Sequence, residues 1–283
     1  MSPLERQAKR LSTGLLKAAS KLEQEVSPQG IHRLRTTIRR LQSLIDYVHP
    51  RLNKKQQKTL EDLTELRKRA GKIRDLDIQL RLIKAIGNGS TASDRRAIVE
   101  TIHWTRARQT RRLASLLQEF KDSGVFTRLT KLAAKVSGAS APDATFAPLQ
   151  KAQDVLAELA AGYSRPQDLV PAKLHCLRIE LKKVRYTAEL AAASPEQEQF
   201  LAAMKSVQDA IGEWHDWETL VKTAEKRFKD RVNCPLLVEM RSLLAAKHIA
   251  AASAVTHLFS ARTRPRRKQP RSAVTAHKIA QRA

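Results

Sequence analysis

The sequence predicts an all-α protein: two pseudo-symmetric antiparallel four-helix bundles related by internal duplication, followed by a disordered basic C-terminal tail. Three observations carry the prediction. Helical periodicity of apolar residues is nearly continuous, and no alternating β-branched run with a two-residue glycine turn interrupts it. Two sequence blocks each occur twice, in the same order and at nearly equal spacing. After Phe259 the chain becomes basic and poor in large apolar side chains.

The elements follow from where the periodicity breaks. Punctuation falls at Ser27-Pro28-Gln29-Gly30, His49-Pro50, Gly87-Asn88-Gly89-Ser90, the 137–148 stretch, Arg165-Pro166, Ser194-Pro195 and Asn233-Cys234-Pro235. Helices are therefore expected near 4–25, 31–48, 53–85 and 93–121, with a short one near 125–136, and then near 148–163, 170–192, 196–229 and 236–259. Short links make successive helices antiparallel neighbours, so each half reads as a four-helix bundle with one extra short helix. The domain is expected over residues 1–260, with repeat one at about 1–136, repeat two at about 148–260 and a Gly/Ala/Ser/Pro-rich connector between them. Residues 261–283 hold eight Lys/Arg, two prolines and no acid, and no packed structure is expected there.

Residues 32–40 read H-R-L-R-T-T-I-R-R and residues 175–183 read H-C-L-R-I-E-L-K-K, with histidine, arginine and a basic pair at matching offsets. On a helix advancing about 100° per residue, His32, Arg35 and Arg39 share one face within about 60°, as do His175, Arg178 and Lys182. Arg40 and Lys183 complete the basic pairs, and Arg185 extends the second stripe by a turn. Leu34, Ile38, Leu41 and Ile45 form a separate apolar stripe, matched by Leu177, Leu181, Val184 and Ala188. Each helix thus has one face to bury and one positive face left over.

The second block reads G-K-I-R-D-L-D-I-Q-L at 71–80 and G-E-W-H-D-W-E-T-L-V at 212–221. Gly71 matches Gly212, Arg74 matches His215, Asp75 matches Asp216 and Asp77 matches Glu218. His32 precedes Asp75 by 43 positions and His175 precedes Asp216 by 41, which makes duplication the economical explanation. Arg67, Arg74 and Arg81 fall at i+7 spacing, nearly in line; the second copy has Gln208, His215 and Lys222 there, a thinner charge. The two glycines on this line are read as points where another helix crosses closely.

Composition narrows the partner. A formal charge of +25 and a pI near 10.6 point to a polyanion rather than a neutral small molecule. The tail accounts for +8 of this, so about +17 remains on the bundles. Single-stranded nucleic acid is held largely by base stacking, yet aromatics make up only 4% of the chain. Tyr186, Trp214 and Trp217 lie near the motifs, but Trp217 replaces Leu76 in the repeat, which suits core packing. Cys176 and Cys234 are isolated, as expected of a reduced cytoplasmic setting. No apolar run long enough to span a membrane is present, nor the hydrophobic centre of a secretory signal.

Catalysis finds little support. Asp75, Asp77, Asp216 and Glu218 have the chemistry to hold Mg²⁺ beside a phosphate, but no phosphate-cradling glycine loop and no general base accompany them. Their expected role is to pair with nearby arginines. His32, His175 and His215 lie on different helices without a His at i+3 or i+4, so no metal site is expected. No cofactor and no catalytic residue is assigned.

In the segments I-H-R-L-R-T-T-I-R-R-L (31–41), L-R-K-R-A-G-K-I-R-D-L-D (66–77), L-H-C-L-R-I-E-L-K-K-V-R-Y (174–186) and V-Q-D-A-I-G-E-W-H-D-W-E (207–218), the chain resembles the conserved histidine α-helical domain family, CHAD. The resemblance covers roughly residues 1–260. It implies two pseudo-symmetric bundles that bind inorganic polyphosphate along a basic central surface, with bacterial members associated with polyphosphate granules. By position it carries His32, Arg35, Arg39, Arg40, His175, Arg178, Lys182, Lys183 and Arg185 into the site. Arg67, Arg74 and His215 join them from the reading of the longer helices. Many relatives are fused to a β-barrel triphosphatase; no segment here has the strand signals for one, so a stand-alone binding module is expected. The competing expectations are a basic helical protein that binds nucleic acid non-specifically and a phosphohydrolase using Asp75 and Asp216.

Overall fold

The structure, a computed structural model, describes residues 3–48, 51–87, 91–138, 147–163, 169–231 and 234–263. The expected disordered tail lies, from residue 264 on, outside the described residues, as do residues 139–146 of the connector. The described residues form nine helices and no strand: α1 (Pro3–Gln24), α2 (Pro28–Val48), α3 (Lys54–Ala85), α4 (Ala92–Asp122), α5 (Val125–Gly138), α6 (Pro148–Gly162), α7 (Pro171–Ala188), α8 (Pro195–Arg227) and α9 (Pro235–Thr263).

Local chemistry sets the ends. Six of the nine helices begin at a proline, whose fixed φ suits the first turn and whose missing N–H costs nothing there. Asn53 starts α3 with a reciprocal capping box: its side chain accepts from the Gln56 N–H at 3.0 Å and its own N–H donates to Gln56 Oε1 at 3.0 Å. The Ser194 hydroxyl accepts from the Gln197 N–H at 3.1 Å to start α8. Gly124, at φ 71°, provides the left-handed turn between α4 and α5. Helix α7 stops at Ala188, four residues short of the expected end, because Leu190 and Ala191 donate to the carbonyls of Thr187 and Ala188 in tight i→i−3 turns.

Three apolar cores hold the helices together. The first joins α1, α2, α5, the front of α3 and the back of α4 around Leu15, Leu34, Ile38, Leu66 and Leu117. A second joins α6, α7, the front of α8 and the back of α9 around Leu156, Leu177, Leu181, Met204 and Trp214. Both apolar stripes read from the repeated helices are buried, from Leu34 to Ile45 and from Leu177 to Ala188. The third core is made by the remaining halves of the four long helices: Leu76 and Ile83 of α3, Ile98 and Ile102 of α4, Trp217 and Leu220 of α8, and Leu236 and Met240 of α9. At about 1.5 Å per residue, helices of this length outrun a single bundle, and their overhanging halves bury one another.

The extra short helix falls in the first half, as α5, and the second half is α6–α9. The halves share the third core. The Leu76-to-Trp217 exchange sits inside that shared core, with both side chains buried. The pairing brings α2 against α7 and α3 against α8, which places the two histidine-arginine helices face to face.

Candidate functional site

Between the back of α2, the front of α3 and α7 lies a cleft of about 610 Å³. Arg39 enters it from α2, Arg67 from α3, and His175, Arg178, Lys182 and Lys183 from α7. Six of the twelve residues assigned from sequence therefore line one cavity, contributed by both repeats. Arg35 stands close behind: Arg178 opposes its charge, and both arginines oppose the charge on Lys182.

Burying this much like charge leaves a signature. Lys182 is pushed down to about 6, first by burial and then by repulsion from Arg178, Arg39 and Arg35, with Asp216 opposing. Burial likewise lowers Arg35 and Arg178, although Asp75 and Asp216 pull the other way. Arg67 is lowered by burial and by Arg39. The Nε atoms of Arg67 and Arg178 are buried without a hydrogen-bond partner. A buried donor left unsatisfied costs about 1–3 kcal/mol.

The histidines divide. His175 is exposed on the cleft edge, with its ring 5.2 Å from that of His215. His215 is lowered to about 4, by burial first and then by Arg178 and His175, so it is neutral near pH 7 in the free protein. Its Nδ1 lies 3.4 Å from Glu218 Oε2. His32 sits near Arg74, the residue that matches His215, and burial followed by Arg74 lowers it as well. Both first-repeat residues lie beside the cleft rather than among its lining residues.

Arg40 and Arg185 have another occupation. Arg40 Nε bonds Glu189 Oε2 at 2.7 Å, and Arg185 Nε bonds Glu189 Oε1 at 3.0 Å while its Nη1 reaches Gln208 Oε1 at 3.2 Å. They stitch α2 to the end of α7 through one half-buried carboxylate. Lys183, though on the cleft, is bonded to Glu180 at 2.8 Å. The expected pairing of the second-block carboxylates with arginines holds for Asp75, with Arg35 at 3.6 Å, and Asp77, with Arg106 at 2.6 Å, whereas Glu218 takes Lys222 at 2.8 Å. Asp216 is raised by burial and by the nearby Asp75, against the pull of Arg178. Among the described residues, no group of three or more His, Cys, Asp or Glu side chains is placed to hold a metal ion.

Neither glycine marks a helix crossing. A β-carbon on Gly71 would stand 3.7 Å from Cζ of Arg35, a side-chain contact, and one on Gly212 would meet nothing within 4 Å. Sequence reasoning also missed Glu189 and the polar wall made by Gln42 and Thr64, where Gln42 Nε2 donates to Thr64 Oγ1 at 2.8 Å. One signal for Glu189 was present: it stands 143 positions after Asp46, the same offset that separates His175 from His32.

Fold and site together define a duplicated helical-bundle protein with a cation-lined cleft between its repeats. The profile of the CHAD domain matches residues 9–225, and the chain belongs to the CHAD family. The crystal structure of the CHAD domain from the plant Ricinus communis has the same fold, with a TM-score of 0.72 at 18% identity over 92% of this chain and 91% of that one. No curated protein matches the sequence. No described helix is long and apolar enough to cross a membrane.

Proposed function

We propose that this protein binds inorganic polyphosphate in the cleft between α2, α3 and α7, without turning it over, and that it resides in the cytoplasm at polyphosphate granules. The observation that carries this reading is the concentration of Arg39, Arg67, Arg178 and Lys182 in one cavity, two of them with a buried, unpartnered Nε donor. Such a cavity suits an unbranched chain of closely spaced phosphates, because guanidinium forks give charge-assisted, often bidentate bonds to phosphate oxygens. Family membership supports the same ligand.

Nucleic acid is the second reading, and one observation favours it. Trp104 on α4 is 63% exposed, with the Arg108 guanidinium 5.1 Å from its ring centre, an arrangement that offers a stacking surface. It lies on a different helix from the cleft, and Trp214 and Trp217 are buried. Side-by-side titration with polyphosphate and single-stranded RNA, matched in phosphate and salt, tests the choice. Tighter binding of polyphosphate is expected; equal or tighter binding of RNA would put nucleic acid first.

A further inference from the structure

The duplication makes every residue of the cleft the counterpart of another across the pseudo-twofold axis. Arg39 corresponds to Lys182, Arg67 to Gln208, Lys183 to Arg40, Gln42 to Arg185 and Asp46 to Glu189 by the repeat offsets. A second cleft does exist on that side, of about 520 Å³, reached by Arg40, Glu189 and α1. Of its lining cations, Arg10 comes from α1 and Arg40 is engaged by Glu189. The neighbouring Arg185 also bonds Glu189, and Gln208, standing where Arg67 stands in repeat one, accepts from Arg185 and donates to the Leu181 carbonyl at 2.7 Å. Helix α1 also leans over this side, with Gln7 Nε2 donating to the Leu190 carbonyl at 3.3 Å.

The same difference separates the two central arginines. Arg35 lies against Gly71 and within 3.6 Å of Asp75. Arg178 has left Gly212 open and lines the first cleft with its Nε unpartnered.

Resting on the reading of polyphosphate as ligand, we propose that the polymer binds where Arg67 and Arg178 flank the mutually equivalent Arg39 and Lys182, and not at the equivalent place beside Gln208 and Arg35, where Glu189 engages Arg40 and Arg185. Repeat two supplies the grip through α7, and repeat one supplies the opposite wall. The sequence departures between the copies, Arg67 to Gln208 and Gln42 to Arg185, are what make the site one-sided.

Two measurements test this. In the first, wild-type protein is modified with an arginine-selective dicarbonyl, with and without polyphosphate, and mapped by peptide mass spectrometry. Protection of Arg39, Arg67 and Arg178 without change at Arg40 and Arg185 is expected; equal protection on both sides overturns the proposal. In the second, Arg67→Gln with Lys182→Gln is compared with Arg40→Gln with Arg185→Gln. The first pair should lose about tenfold in affinity or more and flatten the salt dependence, while the second stays within about twofold. Equal loss in both folded variants overturns the asymmetry. Should a variant fail to fold, the wild-type protection pattern decides alone. A wild-type chain with no affinity for polyphosphate would overturn the functional reading itself, an outcome distinct from symmetric protection.

Discussion

Arg231 grips Asp94 with both guanidinium nitrogens, Nη1 to Oδ1 at 2.5 Å and Nη2 to Oδ2 at 3.2 Å, and so ties the turn between α8 and α9 to the start of α4. The buried Cys234 thiol adds a 3.4 Å contact to the same carboxylate. This bond crosses between the repeats at the end of the shared core. Asp94→Ala should cost about 1–2 kcal/mol in denaturant unfolding, the range for a charge-assisted bond with one exposed partner. Arg231 holds the Asp94 carboxyl below its usual range. Its contribution is therefore complete above the ordinary carboxylate value and is lost as pH falls through the depressed one, so the difference between wild type and variant should shrink in acid.

Salt dependence should report the cleft cations directly. If several phosphates are neutralised together, log affinity for polyphosphate falls nearly linearly with log salt. Arg178→Ala should make that slope shallower by about one phosphate equivalent. Arg35→Ala should change it less, because Asp75 already engages that guanidinium. Isothermal titration across a salt series, with circular dichroism to confirm folding, checks both.

Polyphosphate binding should draw in a proton at Lys182. In the free protein its value near 6 leaves the amine neutral at pH 8, with burial first and then Arg178, Arg39 and Arg35 opposing the charge and Asp216 favouring it. A polyanion reverses that balance, so affinity should fall as pH rises from about 6 toward the ordinary lysine value near 10. Titration at pH 8 in buffers of different ionisation enthalpy should show proton uptake, and Lys182→Arg should abolish it. His215, held near 4, should contribute to the pH profile only once ligand is present.

The same strain should appear as stability. Because Lys182 binds its proton more readily unfolded than folded, the free protein should gain stability as pH rises from about 6 to 10. Lys182→Met removes the repulsion at similar volume and should stabilise the free fold by about 1–2 kcal/mol while weakening polyphosphate binding. A variant less stable than wild type at pH 6 would show that the ammonium is well solvated.

Incubated with Mg²⁺ and long-chain polyphosphate, the purified protein should release no orthophosphate above a mock preparation. Three of the four carboxylates that a metal would need, Asp75, Asp77 and Glu218, are paired with Arg35, Arg106 and Lys222. Sustained release abolished by Asp75→Asn would assign them to catalysis instead.

Most of the fold was legible because its signals are local. Helix bounds follow proline and apolar period, and the His32 and His175 stripes face each other because the apolar stripes behind them must be buried. Helix pairing across the repeats was not legible: it depends on how far α3, α4, α8 and α9 overhang, a length effect that periodicity does not register. At the site, spacing located the cations but not their partners. Arg40 and Arg39 are equivalent in sequence terms, yet a carboxylate 149 positions away claims only the former. Gly71 and Gly212 likewise looked alike, and only the packed structure shows Arg35 resting on one and open space beside the other.

The shared core has a mechanical consequence. Helices α3 and α8 each run unbroken from their own bundle into it, so the wall that carries Arg67, and the α7 wall of Arg178 packed on the front of α8, are fixed to one continuous frame rather than hinged. Nothing in that frame must be ordered when a ligand arrives. The entropy lost on binding a flexible polymer would then fall almost wholly on the guest.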